Sequence, residues 1–352
     1  MSKAVQDWKT KKYGRAISEE ELHKRTHPAW PYIYFNPGTP VDPERVDELL
    51  RGIIDVHVHG APLGGWLPGR PKMLDTCVEA SRAGMKALVF KDHNTMNINC
   101  AIIVQDVLAT MSAEADSRGE TFTPVEVYGG VVLNYAVGGM NLAAVKTALD
   151  YGRCKEIWLP SLDAAHQREA MGREGGIRVT TGADQLTPEM IGVLEMLHDY
   201  NNNRKNDRCS LSSCHVSNEE KADILRYVRK KQLNVDVMLD HVTQEMTILT
   251  PSEAKEMIDL GGYLQFAECS CVPWPGMQDW IIAFDYSFNL IKELLREKGP
   301  EHLILITDAG QPGNEPVPGW RMFLKTLLAQ GVSREHINIM GKDVPHGILY
   351  GK

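Results

Sequence analysis

Strand-like apolar runs alternate with helical segments eight times along the chain, several of those runs are apolar throughout, and histidines collect where the runs end. Together these features predict an α/β protein built as a (β/α)8 TIM barrel with an N-terminal extension. The length of 352 residues suits one barrel, which takes about 250 residues plus insertions. No linker, repeat or low-complexity segment divides it, so residues 1–50 read as an extension packed on the barrel and residues 51–352 as the barrel itself. The rival is an open doubly wound sheet, but no Gly-x-Gly-x-x-Gly turn follows any strand.

In the extension, Ser18 followed by Glu21 resembles a capped helix start. The stretch from Pro28 to Pro43 is irregular, with Trp30, Tyr32, Tyr34 and Phe35, and Asp42-Pro43-Glu44 opens a short helix that ends near Gly52. Strands are then expected at Ile53 to His57, Lys86 to Asp92, Val125 to Leu133, Lys155 to Leu159, Arg208 to Cys214, Val235 to Asp240, Tyr263 to Glu268 and His302 to Thr307. Runs such as Ala87-Leu88-Val89-Phe90 and Leu303-Ile304-Leu305-Ile306 suit a parallel sheet covered on both faces. Helices are expected over Lys72 to Ala83, Asn97 to Ser117, Asn141 to Tyr151, Pro188 to Asn201, Ser217 to Gln232, from Thr250, Met277 to Glu297, and Gly319 to Gln330. An insertion, Ser161 to Thr187, follows strand four, with a small hairpin expected around Gly175 to Val179.

Composition narrows the function classes. A net charge of −8 and the absence of an extended Lys/Arg tract argue against a nucleic-acid surface. The first 25 residues lack the apolar core of a signal peptide, and no run approaches the roughly 18 apolar residues of a membrane span. Seven cysteines without regular spacing fit a reducing compartment better than a disulfide framework. The expectation is a cytoplasmic protein that acts on a small molecule, without nucleic acid or membrane as partner, and that forms a homo-oligomer.

Function in such barrels lies at the C-terminal ends of the strands. Those ends carry His57 and His59, Lys91 and His93, Asn134, His215, His241, Glu268 and Asp308, and His166 lies past strand four. His57 and His59 are a strand repeat apart and so project the same way, toward one ion. Lys91 shares the parity of His93. Five of the twelve histidines stand directly at strand ends, a bias that no single His-x-His carries. Arg70 in the loop after strand one, with Trp66, Trp274 and Trp280 in or near strand-end loops, hints at a partly aromatic or anionic substrate. His93, Arg70, His166 and Glu268 are therefore substrate-binding candidates. Glu268 is also readable as a catalytic acid or, structurally, as a partner of Lys91 inside the barrel, and Cys269 and Cys271 as small buried apolar residues.

From about residue 50 onward the chain resembles the amidohydrolase superfamily of metal-dependent hydrolases, and within it a group without an assigned substrate. The likeness rests on Asp55-Val56-His57-Val58-His59-Gly60, on His215 in Ser213-Cys214-His215-Val216-Ser217, on His241 in Leu239-Asp240-His241-Val242, and on Asp308 in Thr307-Asp308-Ala309-Gly310. The resemblance implies that His57, His59 and Asp308 bind a first divalent metal and that His215 and His241 bind a second or complete a single site. It also implies that Asp308 is the general base and that a metal-bound hydroxide attacks an amide, lactam, lactone or ester carbonyl. Histidine and carboxylate ligands suit Zn2+ best, with Mn2+, Fe2+ and Co2+ as alternatives. Binuclear members carry a carboxylated lysine or a glutamate at the end of strand four. Here that strand ends Trp158-Leu159-Pro160, and Lys91 is the substitute bridging ligand or else a cation for substrate. Two other readings fit the same residues: a metal-dependent non-oxidative decarboxylase of an aromatic acid, and a catalytically silent metal-binding barrel.

Overall fold

The computed structural model describes residues 38–62, 69–204, 206–274 and 284–351. The expected helix start at Ser18, most of the Pro28 to Pro43 stretch, Trp66, Trp280 and the first part of the Met277 to Glu297 helix lie outside the described residues.

Eight parallel strands run in chain order around one sheet: β1 (Ile54–Val58), β2 (Ala87–Phe90), β3 (Glu126–Val132), β4 (Cys154–Trp158), β7 (Ser210–Ser212), β8 (Val237–Leu239), β9 (Tyr263–Ala267) and β10 (Leu303–Ile306). The ring is completed just past the last strand. Asp308 N–H donates to His57 O at 2.9 Å, and His59 N–H donates to Ala309 O at 2.8 Å. This is a (β/α)8 barrel, with helices between successive strands, as the alternation predicts. The two remaining strands, β5 (Thr180–Gly182) and β6 (Gln185–Leu186), form an antiparallel hairpin inside the insertion after β4. The hairpin lies later than Gly175 to Val179, where the paired glycines pointed. Ile177 instead bridges to Ala164, which folds the first half of the insertion back on itself.

Helix ends follow local chemistry. Asp42 caps α1 (Pro43–Leu50) by accepting from Glu44 N–H. Val46, Leu49 and Leu50 pack this helix into the core, and exposed ion pairs from Arg321 to Asp47 and from Arg334 to Glu48 flank it. Ser217 and Thr250 each close a capping box, the first on the Asn218–Lys231 helix and the second on the Pro251–Asp259 helix. The Ile98–Ser117 helix has the length and apolar composition of a membrane span. In this fold it is a barrel helix lying along β3, with Ile98, Ala101, Leu108 and Ala115 buried. The C-terminal Val344–Tyr350 helix closes the barrel from the end opposite the site: Leu349 is buried among interior side chains, and its carbonyl accepts from Lys155 Nζ.

Two local features aim side chains into the barrel. In β1 the pairing with β2 shifts register between Asp55 and Val58. A bulge of this kind adds one residue to a strand and re-aims the side chains beyond it. Ile54 and Val56 face the interior before it, and His57 and His59 after it. Gly310 has a φ of +114°, and a Cβ there would lie 2.1 Å from His59 O, so only glycine fits where the ring closes.

Asp55 ties this seam together. It is fully buried and accepts from Thr307 Oγ1 at 2.5 Å, Trp320 Nε1 at 2.8 Å, and the backbone N–H groups of His57 and Thr307. Burial raises its pKa to about 6 against the pull of these donors. Replacing it strands two buried side-chain donors, so Asp55→Ala should lower the unfolding free energy by roughly 2 kcal/mol or more in urea titrations. A change within about 0.5 kcal/mol, the range of an ordinary surface substitution, would show that the seam does not depend on it.

Candidate metal centre

Five imidazoles form a closed ring at the C-terminal mouth of the barrel. His59 and His57 lie 5.6 Å apart between ring centroids, His57 and His241 5.6 Å, His241 and His215 5.0 Å, His215 and His93 6.4 Å, and His93 and His59 5.1 Å. Asp308 is beside the His57–His59 edge, its Oδ1 lying 3.3 Å from His57 Nε2 and 3.1 Å from His59 Nε2. These three residues offer ligand atoms within 4.8 Å of one another, all buried. The structure thus brings together every strand-end histidine that the sequence singles out, with His93 as a full member of the ring.

Three of the strand ends carry backbone that L-residues rarely adopt: φ is +47° at Cys214, +30° at His241 and +51° at Asp308. Such strain persists where surrounding structure holds it, and it gathers at functional sites. Here it lets two side chains of the ring and its edge, His241 and Asp308, turn inward at the points where their strands end.

The outer bonds of the imidazoles determine which nitrogen carries hydrogen. His59 Nδ1 faces the Lys91 carbonyl at 2.9 Å, an oxygen without a hydrogen, so Nδ1 is the donor and Nε2 holds the lone pair. His57 Nδ1 faces Gln265 Oε1 at 3.1 Å and Asp240 Oδ2 at 3.6 Å, with the same consequence. His241 Nδ1 donates to Thr247 Oγ1 at 2.9 Å, because that hydroxyl gives its own hydrogen to His241 O at 2.8 Å. His215 Nδ1 donates to Gln167 Oε1.

All four therefore carry no hydrogen on Nε2, and these nitrogens face inward, that of His57 accepting from Lys91 Nζ at 3.2 Å. Nε2 of His215 and Nε2 of His241 stand 3.2 Å apart, lone pair to lone pair, and that of His59 faces a carboxylate oxygen. Burial lowers the pKa of His57 to about 4 and those of His59, His93, His215 and His241 well below the ordinary value, so protons do not relieve the repulsion. A cation does. The donor set fits a divalent metal: neutral imidazole nitrogens and a carboxylate oxygen converging from fixed positions.

The chain supplies one cation of its own. Lys91 Nζ lies 3.2 Å from His57 Nε2 and 3.3 Å from Asp240 Oδ2. Burial alone would lower its pKa, but the carboxylates of Asp240 and Asp308 outweigh it and the ammonium is favoured. Strand β4 does end in Trp158, and Lys91 Nζ lies 5.8 Å from the centre of that ring. Below it Glu156 is wholly buried with neither carboxyl oxygen hydrogen-bonded among the described residues; burial, then the charge of Asp240, raises its pKa well above the carboxylate range.

The remaining candidates divide. Arg70 donates from Nη1 to Gly310 O at 3.0 Å, Gly310 being the residue after Asp308 and Ala309 where the ring closes. His166 is buried in the insertion helix Ala165–Ala170, its Nε2 against Met246 O at 2.9 Å. Glu268 does not pair with Lys91, correcting that expectation. After Ala267 the chain turns into a single helical turn, Glu268–Cys271, which carries Glu268 behind Asp308 to accept from Asn314 Nδ2 at 3.1 Å. Burial raises its pKa to about 8.

Several residues of the site do not stand out in the sequence. Gln244 Nε2 and Cys269 Sγ both donate to Asp308 Oδ2, at 2.9 and 3.3 Å, so Cys269 is more than an apolar filler. Asp240, Gln265, Gln167 and Thr247 belong to the same group. Gln265 does carry a signal, a polar residue on the inward parity of an otherwise apolar strand, and Asp240 shares the parity of interior Met238. Gln167 and Thr247 lie in irregular segments where no periodicity marks them.

The sequence matches the model of a family described as "Family of unknown function (DUF6282)" over residues 52–265. The chain belongs to this family. No curated protein matches it. Among solved structures, the barrel is similar to an amidohydrolase from Pseudomonas aeruginosa, at 12% identity and a TM-score of 0.57, covering 89% of this chain and 100% of that one. It is also similar to an organophosphorus hydrolase from Deinococcus radiodurans (15% identity, TM-score 0.51, 86% and 93% covered) and to a probable dipeptidase from P. aeruginosa (13%, 0.54, 88% and 97%). The fold of this DUF6282 member is of the amidohydrolase type, as the strand-end motifs implied.

If Gln265 fixes the His57 tautomer, Gln265→Leu should weaken metal affinity about 10- to 100-fold in a chelator competition assay. Unchanged affinity would mean that Asp240 alone suffices to orient the ring.

Proposed function

We propose that this chain is a metal-dependent hydrolase acting on an amide, lactam, lactone or ester carbonyl of a small molecule. The observation that carries the reading is the convergence of four imidazole Nε2 atoms that carry no hydrogen and the Asp308 carboxylate at the mouth of an amidohydrolase-type barrel. His57, His59 and Asp308 would hold one divalent ion, zinc being the first choice for such donors, and His215 with His241 would hold a second or complete the first. A bound divalent ion supplies Lewis acidity and water of lowered pKa.

The chain's own residues account for the rest of the chemistry. Gln244 and Cys269 use up the Oδ2 side of Asp308, which leaves Oδ1 directed at the centre. Asp308 would accept the proton of the attacking water there and return it to the departing nitrogen or oxygen as the tetrahedral carbon collapses. His93 stacks on His59, and its Nδ1 meets Ser161 Oγ at 2.8 Å; Asn134 Nδ2 also bonds that hydroxyl at 2.8 Å. This holds the fifth imidazole at the rim, where a substrate oxygen would meet it.

The test is turnover of a panel of small amides, lactams, lactones and esters by zinc- and manganese-loaded protein. Asp308→Asn should lower turnover by about a hundredfold or more while disturbing metal content less than His57→Ala does. Undiminished turnover in Asp308→Asn would remove the residue from the mechanism. A product that has lost carbon dioxide rather than gained water would favour the decarboxylase instead.

A further inference from the structure

One charged group beside the ring has no counter-charge paired with it among the described residues. Arg70 is half-buried in the loop after β1, and among the described residues only one of its hydrogen-bond donors, Nη1–H, is engaged, by Gly310 O at 3.0 Å. Its Nε–H is buried and has no hydrogen-bond partner among the described residues. A guanidinium keeps its charge at any relevant pH, and a desolvated N–H left unpaired is unfavourable.

The two carboxylates whose charge it feels, Asp308 and Asp92, are both engaged elsewhere. Asp92 accepts from Asn94 N–H, Thr95 N–H and Thr95 Oγ1–H in its own turn. Asp308 divides its oxygens between the two histidines and the Gln244–Cys269 pair. Arg70 forms no ion pair among the described residues. Its position is set by Gly310, which receives its bond and itself abuts His59 O, so the guanidinium is anchored beside the end of β1 that carries His59.

From this geometry we infer that Arg70 is the subsite for a carboxylate carried by the substrate, placed so that the scissile carbonyl reaches the imidazole ring. The inference rests on the hydrolase reading and names its substrate class: a small carboxylic acid bearing a hydrolysable amide, lactam, lactone or ester. The planar fork of the guanidinium donates to two carboxylate oxygens in parallel. A single charge suits a monoanion. The other cation near the centre, Lys91, is 1% exposed and paired with Asp240, so a phosphate dianion would lack a second counter-charge among the described residues.

Hydroxamates test this, because they bind catalytic metals without being turned over. Calorimetric titration of the zinc-loaded protein compares neutral acetohydroxamate with ω-carboxy hydroxamates of two to four methylenes and with their phosphonate analogues. A carboxylate should tighten binding by roughly tenfold to a hundredfold. Arg70→Met should abolish that gain while acetohydroxamate binds as before, and Arg70→Lys should keep part of it. Equal binding of neutral and carboxylate compounds by the wild-type protein overturns the inference, independently of how any variant folds. A gain that survives in Arg70→Met, or a phosphonate that outbinds the carboxylate, also overturns it. Failure of every hydroxamate to bind the zinc-loaded protein brings down the hydrolase reading first, and this inference with it.

Discussion

Four histidines in this barrel donate from Nδ1 to an oxygen behind them, and every other feature of the site depends on that arrangement. An imidazole so held presents its Nε2 lone pair forward; Lys91 meets the one on His57, and those of His215 and His241, facing each other, and of His59, facing Asp308, repel unless a further cation lies among them. The acceptors come from separate parts of the fold: a carbonyl just past β2, a glutamine of β9, a hydroxyl in the loop after β8, and a glutamine in the insertion after β4. The closed ring of strands is what brings them to one level. The insertion, which looks like decoration on the barrel, supplies one of the four.

The same constraint explains where the fold accepts strain. A regular β1 would place Val56 inward and His57 outward, and the bulge between Asp55 and Val58 is what makes both His57 and His59 face the centre. Left-handed backbone at His241 and Asp308 does the same at β8 and β10. Asp55 compensates, tying the bulged strand to Thr307 and Trp320 by buried hydrogen bonds. Local distortion aims the ligands, and the network beneath them holds the distortion in place.

The barrel and the ring are legible in the sequence for one reason. Strand ends in a parallel barrel all point to the same mouth, so residues far apart in the chain are collected by topology alone. That logic locates His57, His59, His93, His215, His241 and Asp308 from pattern and order. It does not reach residues whose position depends on irregular backbone. Gln167 and Thr247 lie in such segments, and the bulge in β1 has no pattern to announce it. Glu268 shows the opposite failure: its place at a strand end suggests a residue of the mouth, but inward Tyr263, Gln265 and Ala267 give it the outward parity, and the helical turn that starts there sets its carboxylate against Asn314. The hairpin in the insertion lies a few residues from its expected place because paired glycines mark a bend without saying which flanking residues pair.

The central claim is that the imidazole ring is built around a divalent ion. Elemental mass spectrometry of untagged protein, purified without chelators, tests it most directly. The account predicts about one tightly held ion per chain, or about two if the His57–His59 and His215–His241 pairs are loaded separately. Protein that holds no divalent metal, even after incubation with zinc or manganese, would contradict it.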